Sequence, residues 1–185
     1  MKLNLGCGFN KLMGHVNVDM YQTCNPDMQV DMEVFPWPFD ANSVDEVVFN
    51  HSLEHMGAAT DVFLSIMKEL YRVCKDQSLV RINVPHPRHD NFIGDPTHVR
   101  IVTPQVLSLF SKKLNHSWRE RGVSNTPLAL YTDVDFEVVD VTQILENSYL
   151  LSFKSGAISE QELRVLVDER NNVVSEYKMV IKVIK

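Results

Sequence analysis

Connection length constrains this chain more than any single residue does. Lys2–Leu5 and His15–Asp19 both read as strands, yet only Phe9–Gly14 lies between the first glycine turn and the second strand. A similarly short stretch separates that strand from Met28–Asp31, which reads as a third. Neither link can hold a helix of ordinary length, about 10–14 residues. One face of any sheet built here should therefore lack helices. The strands agree with this. Lys2 and Asn4 flank Leu3, His15 and Asn17 flank Val16, Arg81 and Asn83 flank Ile82, and Lys178 and Lys182 interrupt the last strand. A sheet covered on both faces would read as continuous apolar runs instead.

Further along, EVFPWPFDANS is a proline-bearing loop and Asp45–Asn50 a fourth strand. Ala58–Cys74 has helical spacing, with Val62, Phe63, Ile66, Met67, Leu70 and Val73 on one stripe. Ser78–Val84 reads as a fifth strand, stopped by Pro85. Residues 85–103 form a long loop rich in His, Asp and Pro. Thr103 suits an N-cap and Pro104 a first helical turn, for a helix to about Lys113. The stretch 114–133 reads as irregular and 148–154 as a short strand. Ser159–Glu169 reads as a helix opened by a capping box from Ser159 to Glu162. Phe136–Leu145 and Tyr177–Lys185 complete the strands. The order predicts an α/β fold around a mostly parallel sheet.

The chain has 185 residues, 44% of them apolar and 23% charged, as in an ordinary globular domain. A formal charge of −6 gives no general basic field, so a large nucleic-acid footprint is not expected. Cys7, Cys24 and Cys74 are odd in number and form no CxxC pair, which points to a reducing, cytoplasmic setting. Strand-like sequence from Lys2 leaves no signal peptide ahead of the domain on this reading. No apolar run nears the roughly 18 residues of a membrane span.

LNLGCG places two glycines at the end of a strand, where the backbone can turn sharply and a ligand can approach the main chain. Asp19 ends the next strand, where an acid accepts hydrogen bonds from sugar hydroxyls in doubly wound sheets. A dinucleotide fingerprint would need glycine at position 11, which is Lys11. The set LNLGCG, GHVNVD, VDMEVFPWPFDANSVDEVVFNHSLEH and KELYRV, then a strand ending in VP, resembles the class I S-adenosylmethionine-dependent methyltransferases. It is most similar to a small branch with shortened first helices. The resemblance covers about residues 1–103. It implies a Rossmann-like sheet of about six to seven strands, helices mainly on one face and the last strand antiparallel. It implies a single domain over 1–185. Within it, 1–103 would be the cofactor-binding core, 104–176 substrate-side and lid insertions, and 177–185 the last strand.

By the same resemblance, Gly6, Cys7 and Gly8 would run under the methionine part of S-adenosylmethionine. Asp19 would bind the ribose hydroxyls, Met20 would pack on adenine, and Asp31 would accept from the adenine amino group with Met32 beside it. Asn50 and His51 would line the sulfonium side. Asn4 stands where such proteins often carry an acid; an amide can still bond the methionine amino group.

Candidates for the chemistry cluster after the fourth and fifth strands, in HSLEH and PHPRHDNFIGDPTHVR. A hydroxyl or amine acceptor needs placement near the methyl group and, in many cases, a base. His51 is assigned a pocket role, and His86 and His98 substrate-side roles. His55 is as well explained as a core or capping residue, and Asp95 and Thr97 as shapers of the loop. Trp118, Arg119, Arg121 and Tyr131 would offer contacts to an acceptor from a lid over 114–133 and 147–170.

The expected activity is methyl transfer to a small-molecule or glycan-type acceptor. The alternatives are a cofactor-binding module without transferase activity, or a metal-dependent enzyme with ligands drawn from His86, His89, Asp90, Asp95 and His98. No HxH or HExxH pattern fixes those ligands on one element. The uncovered sheet face would be covered by the 114–133 and 147–170 segments, paired in a homodimer, or left in water.

Overall fold

The computed structural model describes residues 1–185. A seven-stranded sheet runs through it, in the order β3-β2-β1-β4-β5-β7-β6. The strands are β1 (Lys2–Leu5), β2 (Val16–Asp19), β3 (Met28–Gln29), β4 (Val44–Asn50), β5 (Cys74–Pro85), β6 (Phe136–Leu145) and β7 (Val174–Val183). The first five pair in parallel, and β7 lies antiparallel between β5 and β6. The helices are α1 (Thr60–Val73), α2 (Asp90–Ile93), α3 (Pro104–Ser108), α4 (Lys112–Glu120), α5 (Leu128–Thr132), α6 (Asn147–Lys154) and α7 (Glu160–Glu169).

Register sorts the side chains. Leu3 pairs with Val47, Val47 with Val80 and Val80 with Ile181, while Leu5 pairs with Phe49, Phe49 with Ile82 and Ile82 with Met179. Alternation along each strand puts all of these on one face. Phe63, Ile66, Met67, Leu70 and Val73 of α1 are buried in the same core. The PWPF loop also enters this core, with Trp37 and Phe39 buried. Glu69 accepts from the Trp37 amide at 2.7 Å, and Arg72 donates to the carbonyls of Trp37 and Phe39. KELYRV thus locks the proline loop against the sheet from one end of α1.

The opposite face is polar. Lys2 and Arg81 both reach Glu46, at 2.7 and 2.8 Å, and Lys182 reaches Glu137 at 3.0 Å. Lys2, Arg81 and Lys178 remain in solvent. No helix forms in the β1–β2 link, and only a single 3-10 turn, Gln22–Cys24, forms in the β2–β3 link. One corner is covered, however. Asn4 and Asn17 are buried under the 9–14 loop. Asn4 Nδ2 donates to the Asn10 carbonyl and to Asn17 Oδ1, which also accepts from the Leu12 amide. Two amide side chains satisfy backbone groups that a helix would otherwise have satisfied for itself.

Several elements differ from the sequence reading. Residues 148–154 are helical, not a strand; a short run such as SYLLSF has no decisive period, and pairing with α7 settles it. The 114–133 stretch carries most of α4 and all of α5. The helix from Pro104 stops at Ser108, and α4 restarts from Ser111, whose hydroxyl caps the Leu114 amide. β6 runs parallel to β1, so its first residue lies at the amino end of the sheet. The Phe136 amide donates to Phe110, and Lys112 donates to Asp135, so α4 and α5 pack at that end. α6 and α7 instead extend from the carboxyl end, where Arg88 donates to the carbonyls of Val167 and Asp168. No residue of α6 or α7 is fully buried. No helix is long and apolar enough to cross a membrane, and all three cysteines are free thiols.

Candidate functional site

Strand order reverses at β1, which has β2 on one side and β4 on the other. In open α/β sheets the crevice beyond the carboxyl ends at such a point holds the ligand. A cavity of about 580 Å³ lies there. Gly6 and Gly8 enter it from the turn after β1, Asp19 and Met20 from the end of β2, Asp31 and Met32 from beyond β3, and His51 from beyond β4. The two glycines differ in their reason. Gly6 has φ +68°, and a Cβ there would come within 2.5 Å of Ser52 Cβ. Gly8 has φ +50°, but a Cβ there would meet nothing within 4 Å, so its free side faces open space.

Asp19 is buried, and its two oxygens already accept from the Gly8 amide at 2.8 Å and the Tyr21 amide at 2.9 Å. Each oxygen keeps a further lone pair for a ligand. Asp31 shapes its own turn by accepting from the Glu33 amide at 2.8 Å.

A second cavity, of about 350 Å³, adjoins the first and shares His51 and His55 with it. It has no hydrophobic lining; Glu54, His98 and Glu176 are among its walls. His51 stands at the junction in a left-handed conformation, φ +52°, and its amide is held by the Asn83 carbonyl at 2.9 Å. Such a backbone costs of order 1–3 kcal/mol and persists where surrounding structure enforces it. The ring lies between two carboxylates, with Nδ1 3.6 Å from Glu54 and Nε2 3.1 Å from Glu176. Glu54 first, and then Glu176, raise its pKa above the ordinary imidazole value against the opposing effect of burial.

No protein-family model matches the sequence, and no curated protein matches it. Solved structures do. An S-adenosylmethionine-dependent methyltransferase of Archaeoglobus fulgidus aligns over 98% of this chain and 85% of its own, with TM-score 0.64 and 18% identity. The 1,6-didemethyltoxoflavin-N1-methyltransferase of Burkholderia thailandensis, with S-adenosylhomocysteine bound, aligns over 100% and 71%, with TM-score 0.53 and 10% identity. The chain has the class I methyltransferase fold. The [4+2]-cyclase SpnF also aligns, over 99% and 75%, with TM-score 0.56 and 13% identity. This architecture therefore does not by itself fix the reaction.

Within the methyltransferase fold, seven of the sequence-derived residues meet at the first cavity: Gly6, Gly8, Asp19, Met20, Asp31, Met32 and His51. Three others do not line it. Cys7 is buried, with its thiol turned to the Gly8 carbonyl at 3.4 Å. Burial pushes that thiol's pKa up, with the nearby Asp19 charge adding to it. Asn50 accepts from Asn83 at 2.9 Å on the polar sheet face. Asn4 is spent on the β1–β2 link, and this explains the missing acid: a carboxylate at position 4 could not donate to Asn10 and Asn17.

Of the three histidines considered for the chemistry, His51 and His98 line the second cavity. His86 does not. Its ring packs on Tyr177 at 4.9 Å, Nδ1 accepts from the Arg88 amide, and burial lowers its pKa. The 86–98 metal set does not gather either, because His89 caps α2 and pairs with Glu146 while only His98 joins a cluster of potential ligands. Trp118, Arg119, Arg121 and Tyr131 line neither cavity. Sequence reasoning passed over Ser52, whose hydroxyl ties the turn after β4 to the Leu5 carbonyl at 2.7 Å. It counted Glu54 among the candidates in HSLEH without assigning it a role, and the apolar Leu53 beside it was the one signal that this short turn is buried.

Proposed function

We propose that this protein transfers a methyl group from S-adenosylmethionine to a small polar acceptor, a small molecule or glycan-type compound. One observation carries the reading: a cavity of cofactor dimensions and a polar cavity meet at His51. The residues of the first cavity fit the cofactor. Gly8 leaves open main chain for the methionine part, Asp19 keeps lone pairs for the ribose hydroxyls, and Asp31, Met20 and Met32 frame the adenine. When bound, S-adenosylmethionine supplies an electrophilic methyl carbon for in-line displacement. The chain's part is to hold the acceptor close, exclude water and move a proton. On this reading His51 would take a proton from the acceptor, with Glu176 holding the charged ring. The polar walls of the second cavity favour an acceptor rich in hydroxyl, amine or carboxylate groups. The α6–α7 hairpin extends from the same end of the sheet and is the segment proposed as a lid. A homodimer through the polar sheet face belongs to the same proposal and is tested by sedimentation at micromolar concentration.

Calorimetry with S-adenosylhomocysteine tests the first cavity. Binding is expected, and Asp19→Asn should weaken it about 10–100-fold, the worth of charge-assisted hydrogen bonds. Absence of binding would end the reading. Release of S-adenosylhomocysteine across a panel of hydroxyl, amine and carboxylate acceptors tests the second. Binding without turnover on any of them would favour a cofactor-dependent role other than methyl transfer.

A further inference from the structure

Glu54 is 1% exposed, and neither of its carboxylate oxygens has a hydrogen-bond partner. A buried carboxylate that accepts no hydrogen bond costs several kcal/mol, so such a group ordinarily pairs closely or coordinates a metal ion. The nearest ring, His51, stands at 3.6 Å, beyond hydrogen-bond reach. Two further histidines are beside it. One ligand atom each of Glu54, His55 and His98 lie within 4.8 Å of one another.

The hydrogen bonds around the two rings decide what they offer. His98 Nδ1 is 3.0 Å from the Phe92 carbonyl, which can only accept, so Nδ1 carries the proton. His55 Nδ1 is 2.9 Å from Thr97 Oγ1. The Thr97 hydroxyl donates to Asp95 at 2.6 Å, so it accepts from His55, and there too Nδ1 carries the proton. Each neutral ring is left with a lone pair on Nε2 that makes no hydrogen bond, although Asp95 Oδ2 stands 3.8 Å from that of His98. Metal-binding histidines ordinarily have a partner that fixes the tautomer behind them; here it is the Phe92 carbonyl for His98 and, for His55, the Thr97 hydroxyl backed by Asp95.

The main chain explains how residues so far apart in sequence meet. The amides of Val99 and Arg100 both donate to the Glu54 carbonyl at 2.9 Å, which lays the segment bearing His98 over the turn bearing Glu54 and His55. Arg100 is itself held over the Phe63 ring and by the Gly57 carbonyl.

We propose that Glu54, His55 and His98 bind a divalent first-row transition metal ion at the wall of the second cavity. Two imidazoles and one carboxylate suit zinc or iron(II) and leave coordination positions open. Those positions face a cavity of about 350 Å³ without hydrophobic lining, so an oxygen of the acceptor is the group they would take. Ligand bonds of about 2.0–2.2 Å require the three ligand atoms to draw in to roughly 3–3.5 Å of one another, a movement within the range of side-chain torsions. The site stands apart from the methyl-transfer reading, because its test uses neither cofactor nor acceptor.

Chelator-treated protein of residues 1–185 is titrated with Co²⁺, followed by visible absorption, and with Zn²⁺, followed by calorimetry. One equivalent per chain is expected. Glu54→Gln and His98→Asn should each weaken binding by at least about 100-fold, since losing a group that merely hydrogen-bonds a metal ligand is itself worth about 10–100-fold. Thr97→Val, which removes the partner of His55 Nδ1, should fall in that 10–100-fold range. His116→Asn, on the exposed side of α4, should leave binding unchanged. A second readout separates binding from folding. Without metal, Glu54→Gln should melt no lower than the parent, and with Zn²⁺ only the parent should gain stability. No saturable uptake, or equal uptake in Glu54→Gln and His98→Asn, would overturn the proposal.

Discussion

On one face of the sheet Leu3, Val47, Val80 and Ile181 stand in a row across four strands, sealed from water in the core that α1 shares. On the other, Lys2, Glu46 and Arg81 form an ion-paired row at the surface. The same strands build both. The first face holds the fold together by removing apolar area from water. The second does without helices because polar residues tolerate solvent and because Asn4 and Asn17 take over the hydrogen bonding of one short link. This sheet keeps its site with one greasy face alone, because the site sits at the strand ends.

The largest test of this contrast is Phe49→Ala. Phe49 is fully buried at the centre of the greasy face, so the loss should be about 3–5 kcal/mol in urea denaturation. A loss below about 1 kcal/mol would mean that α1 does not seal that face.

Asn4→Asp sharpens the comparison from the polar side. It keeps the shape but replaces a donor with a charge facing two acceptors, at the Asn10 carbonyl and Asn17 Oδ1. Stability should fall by about 1–3 kcal/mol, and affinity for S-adenosylhomocysteine should not rise. Tighter binding in this variant would return position 4 to the cofactor site.

The smallest effect is expected at Glu46→Gln. Lys2 first, and then Arg81, hold the Glu46 carboxyl below its ordinary value of 4.5. A lowered folded pKa stabilises above the unfolded value, and that contribution fades as pH falls through the folded one. The parent should therefore lose stability below about pH 4.5 more steeply than the variant, by at most about 1 kcal/mol for a surface pair. An equal slope in both would show that the ion-paired row contributes nothing.

Much of the fold was legible because its signals are local. The period-2 alternation of β1, the apolar stripe of α1 and the Ser159–Glu162 capping box depend on neighbours a few residues away, and the capping box closes as read. The first cavity was legible for the same reason: Gly6, Gly8, Asp19 and Asp31 sit where strands end. The misreadings fall where long-range packing decides. SYLLSF has no period strong enough to choose helix over strand, and α7 chooses for it. His86 follows β5 just as His51 follows β4, yet its ring turns onto Tyr177 instead of into a cavity.

The sequence by itself determined the sheet's two unlike faces, the absence of two helices and the strand-end positions of the first cavity. Spacing and alternation settle these whatever the rest of the chain does. Only the tertiary structure decided that Asn4 serves the link and not the ligand, that α4 and α5 lie at the far end of the sheet, and that His98 meets Glu54 and His55. Each depends on groups far apart in the chain, joined by a few backbone hydrogen bonds and a shared core that no local pattern encodes.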